Sequence, residues 1–225
     1  SPNFNNPLGS CMSDENKQRL VEILAERNVP LIEDDVYGDI YFAPERPKVA
    51  KAYDKSGSVL LCSSFSKTLA PGYRIGWVAA GRYRKEIEHL KMVNTLAGAS
   101  LTSQAVAEFL AGGGYDHYLR RIRKTYAQQV NDTIEAVGRY FPDGTKVTRP
   151  AGGHVVWVEM PGVNALKMFQ SALREGISIA PGPIFSAQNK YGNCIRLNCG
   201  VAWTDNVERA LQRLGEIAKS PAQKA

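Results

Sequence analysis

The sequence predicts an α/β chain, in which part of a mixed or parallel sheet is followed by a long helix and a small α+β unit. Three observations carry this expectation. Short apolar runs at Leu31-Ile32, Ser58–Cys62 and Ile75–Ala80 alternate with helical stretches, the pattern of strands covered on both faces. A helical stretch from about Asp116 to Tyr140 lies between Gly112-Gly113-Gly114 and Phe141-Pro142-Asp143-Gly144. Beyond Pro150 the texture changes to apolar strands and shorter helices. The domains therefore read as 1–114 for the sheet-bearing part and 115–225 for the helix and small domain.

Each element follows from its residues. Ser13 or Asp14 can cap a helix reaching about Asn28, with Leu20, Ile23, Leu24 and Arg27 along one side, and Pro30 stops it. Leu31-Ile32 opens a short buried strand that ends in Glu33-Asp34-Asp35. Ser58–Cys62 and Ile75–Ala80 are the next two buried strands. After Gly81 the pattern turns helical to about Val93 and again over Thr102–Leu110. In the tail, Val155–Glu159, Ile177–Ala180 and Cys194–Asn198 read as strands, and a helix is expected near Asn164–Glu175. A last helix follows Thr204, capped by Thr204 or Asp205, and residues 220–225 are expected to fray.

Composition narrows the function classes. Hydrophobic residues make up 44% of the 225 and charged residues 22%, enough for a real core in a soluble globular protein. No apolar stretch approaches the roughly 20 residues of a membrane-spanning helix. Cys11, Cys62, Cys194 and Cys199 lack metal-ligand spacing, so no metal is expected, and a reducing, cytoplasmic setting fits them best. The net charge of +6 is densest at Arg120-Arg121-Ile122-Arg123-Lys124, where a solvated helix face is the ordinary cause and no nucleic-acid-binding motif accompanies it.

The chemistry concentrates at Ser63-Ser64-Phe65-Ser66-Lys67-Thr68-Leu69-Ala70-Pro71-Gly72-Tyr73-Arg74. Lys67 closely follows a buried strand, where α/β sheets place their ligands. A lysine that attacks an aldehyde needs a desolvated or cationic neighbourhood. Arg74 would supply positive charge and a planar fork for a phosphate, and Ser64 and Ser66 would offer hydroxyls to it. Asp34, at the end of a strand, needs a partner, and a protonated ring nitrogen is one; a cap or a surface ion pair is the other reading. Tyr37 could bring a phenol to such a ring or belong to the core. Asn6 could donate to the same ring or simply make a turn. Arg196, flanked by apolar residues in a strand, needs an anion: a substrate carboxylate or an internal acid.

Together and in this order, these residues resemble the fold-type I pyridoxal-phosphate enzymes, specifically the class I/II aminotransferases. The resemblance rests on Asn6-Pro7-Leu8-Gly9, Asp34-Asp35-Val36-Tyr37, Ser64–Arg74, Pro150-Ala151-Gly152-Gly153, Ala180-Pro181-Gly182 with Phe185, and Arg196. It implies that Lys67 is the catalytic lysine, holding pyridoxal 5'-phosphate as a Schiff base and shuttling protons. Asp34 would keep the pyridine nitrogen protonated, and Tyr37 and Asn6 would bond the ring hydroxyl. Ser64 and Arg74 would hold the phosphate, and Arg196 the substrate α-carboxylate. The stretches Ala180–Ser186 and Asn193–Gly200 resemble the MocR-type branch of GntR-like regulators, in which an aminotransferase-like domain follows a winged helix-turn-helix.

The resemblance also implies what lies elsewhere. The chain opens at Ser1–Gly9 inside a strand-to-loop motif, so it is expected to be the C-terminal part of a longer protein. A glycine-containing phosphate loop and a ring-stacking aromatic would lie upstream. Family members are homodimers, and DNA would be met only through an N-terminal domain. This chain alone is therefore expected to be inactive and to bind the cofactor weakly or not at all. Its ligand would be an amino acid and keto acid pair, or an effector linked to the cofactor. Two readings stay open, an effector-sensing domain of a transcriptional regulator and a free-standing aminotransferase. A remote third takes Ser64-Phe65-Ser66-Lys67 as a Ser-x-x-Lys acyl-enzyme motif, whose companion motifs are absent. His154 has no derivable function and reads as a core or rim residue.

Overall fold

The computed structural model describes residues 1–221, so the tail expected to fray lies, at 222–225, outside the described residues. The chain forms two compact units. The first comprises Ser1–Asn5 and Ser10–Arg123, the second Asn6–Gly9 and Lys124–Ala225.

The first unit opens with α1 (Asp14–Glu26). Ser13 is its N-cap, accepting the Asn16 N–H, and Asp14 and Glu15 sit where the helix end is positive. The expected apolar side is only half-buried. The deepest positions are Lys17 and Val21, because the Lys17 ammonium donates to the Lys48 carbonyl at 2.8 Å and is satisfied inside. Strand β1 (Leu31–Asp34) pairs in parallel with β2 (Val59–Ser64), and β3 (Gly76–Ala79) runs antiparallel on the other side of β2. The sheet is mixed, as the sequence predicts.

The strands are not all buried, however. Val59 and Leu60 are, but Ile32 is 71% exposed and every residue of β3 is exposed. β1 and β3 are edge strands of a three-stranded sheet, and no described residue covers these side chains. The inward position on β1 belongs instead to Glu33. Its carboxylate accepts the N–H groups of Ala50 at 2.7 Å and Lys51 at 2.9 Å, capping the single helical turn Ala50–Tyr53. Helices α2 (Arg84–Thr95) and α3 (Ser100–Ala111) follow; α2 buries no residue and α3 buries Val106. Leu90, Met92, Val93, Leu96 and Leu101 all face solvent.

Helix α4 (Gly114–Tyr140) begins within the glycine run and passes from the first unit into the second at Arg123. The second unit is built on an antiparallel sheet of β4 (Lys146–Val147), β5 (Val155–Glu159), β6 (Ala180–Pro181) and β7 (Cys194–Asn198), in the order β4-β5-β7-β6. Helices α5 (Ala165–Arg174) and α6 (Asp205–Lys219) start at N-caps Asn164 and Thr204. The strand expected over Ile177–Ala180 shrinks to Ala180–Pro181. Ile177 donates its N–H back to Ala172 at the end of α5, and Pro181 has no N–H to extend the ladder. Strand β4 carries no apolar run, so no pattern in the sequence announces it. No described helix is long and apolar enough to cross a membrane.

Candidate active site

In the first unit the residues of interest gather at the carboxyl ends of β1 and β2. Lys67 lies exposed in the turn that leaves β2, its Nζ 5.9 Å from the centroid of the buried Tyr37 ring. Asp34, the last residue of β1, is exposed, stands opposite Cys62 in the parallel register, and accepts the Val36 N–H at 3.2 Å. Burial and then the nearby Asp34 carboxylate push the Cys62 thiol up from its ordinary value. Ser64 ends β2, half-buried, and its hydroxyl accepts the Ser66 N–H at 3.4 Å. Arg74 is exposed in the left-handed region at φ 55°, with its guanidinium donating to the Pro71 carbonyl at 3.3 Å.

Asp35 separates from Asp34 because successive strand residues point to opposite faces. It is 1% exposed, accepts from Asn3 Nδ2 at 2.9 Å and from Arg46 at 2.5 Å. Burial raises its pKa, with the Arg46 guanidinium pulling the other way. The same carboxylate fills the space beside Gly38, where a Cβ would overlap Asp35 Oδ2. The Arg46 Nε also binds Asp39 at 2.9 Å. Sequence reasoning does not single out Arg46, Asp39, Thr68 or Tyr115. Thr68 directly follows Lys67 and is buried, with the Tyr115 hydroxyl 3.0 Å away. A buried threonine in a turn gives no periodic signal; its place in the chain beside Lys67 is the one available clue.

The second unit holds the other two candidates, and they touch. Asn6 belongs to this unit, although Asn5 and Ser10, on either side of the segment Asn6–Gly9, belong to the first. Its Oδ1 accepts from Arg196 at 3.0 Å, which leaves the Asn6 amide NH2 as a donor. Arg196 pairs with Trp157 across β5 and β7, so both side chains stand on one face of the sheet. The guanidinium lies 5.5 Å from the Phe185 ring, which meets Trp157 edge-on at 5.7 Å. Its Nε is buried with no partner among the described residues, an unmet donor that suits an anion. No carboxylate of the unit pairs with it among the described ion pairs, so the internal-acid reading finds no partner there. His154 is half-buried at the rim, its Nδ1 3.1 Å from Asn198 Oδ1.

The chain is similar to known proteins over nearly its whole length. The chain shares 40% identity over 216 residues, 96% of its length, with the uncharacterized HTH-type transcriptional regulator YdcR of Escherichia coli (strain K12). It shares 31% identity over 99% of its length with aromatic-amino-acid aminotransferase 1 of Thermococcus litoralis. In structure it resembles LysN, the α-aminoadipate aminotransferase of Thermus thermophilus crystallised with N-(5'-phosphopyridoxyl)-L-leucine, at a TM-score of 0.90 and 30% identity over 97% of this chain. The chain spans about half of each relative, 46%, 54% and 57% respectively. Residues 2–214 match the family described as aminotransferase class I and II, and the chain belongs to that family.

Proposed function

We propose that this chain is the pyridoxal-phosphate-binding, aminotransferase-type part of a DNA-binding transcriptional regulator, with Lys67 as the residue that takes the cofactor. The observation that carries the reading is the placement of Lys67 beside Tyr37 at the carboxyl ends of a parallel strand pair, with Asp34 ending the neighbouring strand. The donor set fits the group. It offers an exposed amine for an aldehyde, a carboxylate for a ring nitrogen, and hydroxyl and guanidinium donors for a phosphate. The unmet Arg196 Nε adds a place for a carboxylate.

Bound pyridoxal phosphate supplies an aldehyde for covalent capture of amino groups and a ring that takes up electrons from the substrate. The chain's own residues do the rest. Lys67 Nζ would hold the group's aldehyde carbon, and as a free amine it would be the base that carries the substrate α-proton. The Asp34 carboxylate would hold a proton at the pyridine nitrogen. The Tyr37 phenol and, as the resemblance implies, the Asn6 NH2 would bond the ring hydroxyl, while Ser64 and Arg74 would hold the phosphate. Arg196, steadied by Asn6 and Phe185, binds the α-carboxylate of an amino acid or keto acid.

The regulator context is supported by the 40% identity with an HTH-type regulator, DNA being met through an N-terminal domain outside this chain. The 31% identity with an aromatic-amino-acid aminotransferase favours the second reading, a free-standing enzyme of amino-group transfer. A cytoplasmic homodimer agrees with four free cysteines and with the apolar side chains exposed on α2 and α3. The acyl-enzyme reading of Ser64 lacks its companion motifs, the chain belongs to another family, and the reading is set aside.

The test uses the full-length protein. Borohydride reduction after loading with pyridoxal phosphate, followed by peptide mapping, should label Lys67, and a label on another lysine overturns the reading. With an amino acid and a keto acid together, a regulator should give slow single half-reactions. Sustained turnover would instead establish the free-standing aminotransferase.

A further inference from the structure

Behind Lys67 runs a chain of hydrogen bonds that the chemistry above does not use. The hydroxyl of Tyr115, in the first turn of α4, lies 3.0 Å from Thr68 Oγ1 and 3.2 Å from Asp39 Oδ2. A phenol has one proton, and a carboxylate can only accept. The phenol therefore donates to Asp39, and the Thr68 hydroxyl donates to the phenol oxygen. Asp39 is fixed in turn by Arg46 Nε at 2.9 Å, and its carbonyl accepts from Arg123 Nε at 2.7 Å. Arg46 is itself held by Asp35. The Tyr115 ring packs edge-on against Phe65, with centroids 5.6 Å apart. Burial raises its phenol to about 12, so it keeps its proton throughout the physiological range.

The two ends of this chain have a particular address. Thr68 follows Lys67 by one residue, and Asp39 follows Tyr37 by two. The parallel ladder reaches Asp34 opposite Cys62 and one further bond from Asp35 N–H to the Cys62 carbonyl. Lys67 and Tyr37 both lie beyond it, in turns. The Tyr115 phenol ties those two turns together, and Thr68, whose hydroxyl it meets, is only 2% exposed.

We propose that Tyr115 is a positioning residue for Lys67: anchored by Asp39 and Arg46, its hydroxyl fixes Thr68 and thereby the direction in which the Lys67 amine leaves its turn. This rests on the reading of Lys67 as the cofactor's lysine. It adds to that reading a residue more than forty positions away that acts through Thr68.

The experiment is a double-variant cycle on the full-length protein loaded with pyridoxal phosphate. Tyr115→Phe removes the hydroxyl and keeps the ring; Thr68→Val removes the other partner, and Thr68→Ser retains it. The readouts are the dissociation constant of pyridoxal phosphate, the visible circular dichroism of the lysine-bound cofactor, and the thermal midpoint. Tyr115→Phe and Thr68→Val should each weaken binding about tenfold and diminish the visible dichroism. The double variant should be no weaker than the single ones by more than about twofold, because both remove one shared bond. Thr68→Ser should match the wild type.

Wild-type binding and dichroism in Tyr115→Phe, even with a lower midpoint, would reduce Tyr115 to a stabilising residue and overturn the proposal. Full additivity in the double variant would overturn it too. Should Tyr115→Phe not fold, Thr68→Val against Thr68→Ser decides alone. A wild-type protein without lysine-bound absorbance would sink the cofactor reading itself, an outcome distinct from a loaded wild type with an unaffected Tyr115→Phe.

Discussion

Among single residues, three consecutive acids show how much a strand's alternation decides. Glu33, Asp34 and Asp35 are chemically near-identical, yet Glu33 and Asp35 are buried and Asp34 is exposed. The period of two is legible in the sequence; the identity of the buried face is not, because it depends on Ala50, Lys51 and Arg46, which lie distant in the chain. A fourth acid sets the acid response of the first unit. The buried Asp54 carboxylate would be raised by burial, but the Lys51 ammonium and the N–H groups of Val59 and Ser58 hold it well below the usual carboxylate range. The unfolded chain takes up that proton near pH 4, the folded chain only at lower pH, so acid favours unfolding. The stabilisation is complete above about pH 4 and is lost as the pH falls further. Urea titrations from neutral pH down to about pH 3 should show this loss in the wild type and a flatter acid limb in Asp54→Asn, whose stability at neutral pH should drop by about 2 kcal/mol. Glu33 and Asp35, raised chiefly by burial, act in the opposite sense: their ionisation counts against the folded state as the pH climbs through their raised values.

Elements are more legible than their burial. Caps at Ser13, Asn164 and Thr204 stand at the helix starts because a side-chain oxygen before an amphipathic run meets N–H groups that would otherwise lack a partner. The exposure of β3 and of much of α1's apolar side is not legible, since an apolar run shows what could be covered and not what covers it. Helix α6 shows a contact that no local pattern announces. At Gly215 a Cβ would overlap the Tyr140 carbonyl oxygen at the end of α4, backbone that cannot turn aside. At Gly138, exposed in α4, an added Cβ would meet nothing within 4 Å beyond its own helix. Gly215→Ala should therefore cost about 2–3 kcal/mol through forced displacement of α6. Gly138→Ala should gain about 1 kcal/mol through helix propensity. Paired urea midpoints measure both, and equal effects at the two glycines would contradict the packing described.

For the whole molecule, the ordered set Asn6, Asp34, Tyr37, Lys67, Arg74 and Arg196 can be named from the sequence because each sits in a short motif: Asp34 ends a strand, Arg196 stands mid-strand between apolar neighbours, and the others lie in turns and loops. What cannot be read is how these motifs divide: Asn6 and Arg196 belong to one compact unit, and the lysine and its neighbours to the other. With Lys67, Asp34 and Arg74 all exposed, this chain by itself offers the cofactor little desolvation. Equilibrated with pyridoxal phosphate, the isolated chain should show less than about a tenth of the lysine-bound absorbance of the full-length protein at equal concentration. Stoichiometric absorbance would refute this. One small contact carries a consequence for inheritance rather than for energy. Since the Asp35 carboxylate occupies the volume beside Gly38, the two positions do not vary freely. In a library randomised at both sites, side chains should survive at 38 mainly in clones that have already given up aspartate at 35, so the order in which a lineage acquires the two changes decides whether the second is permitted.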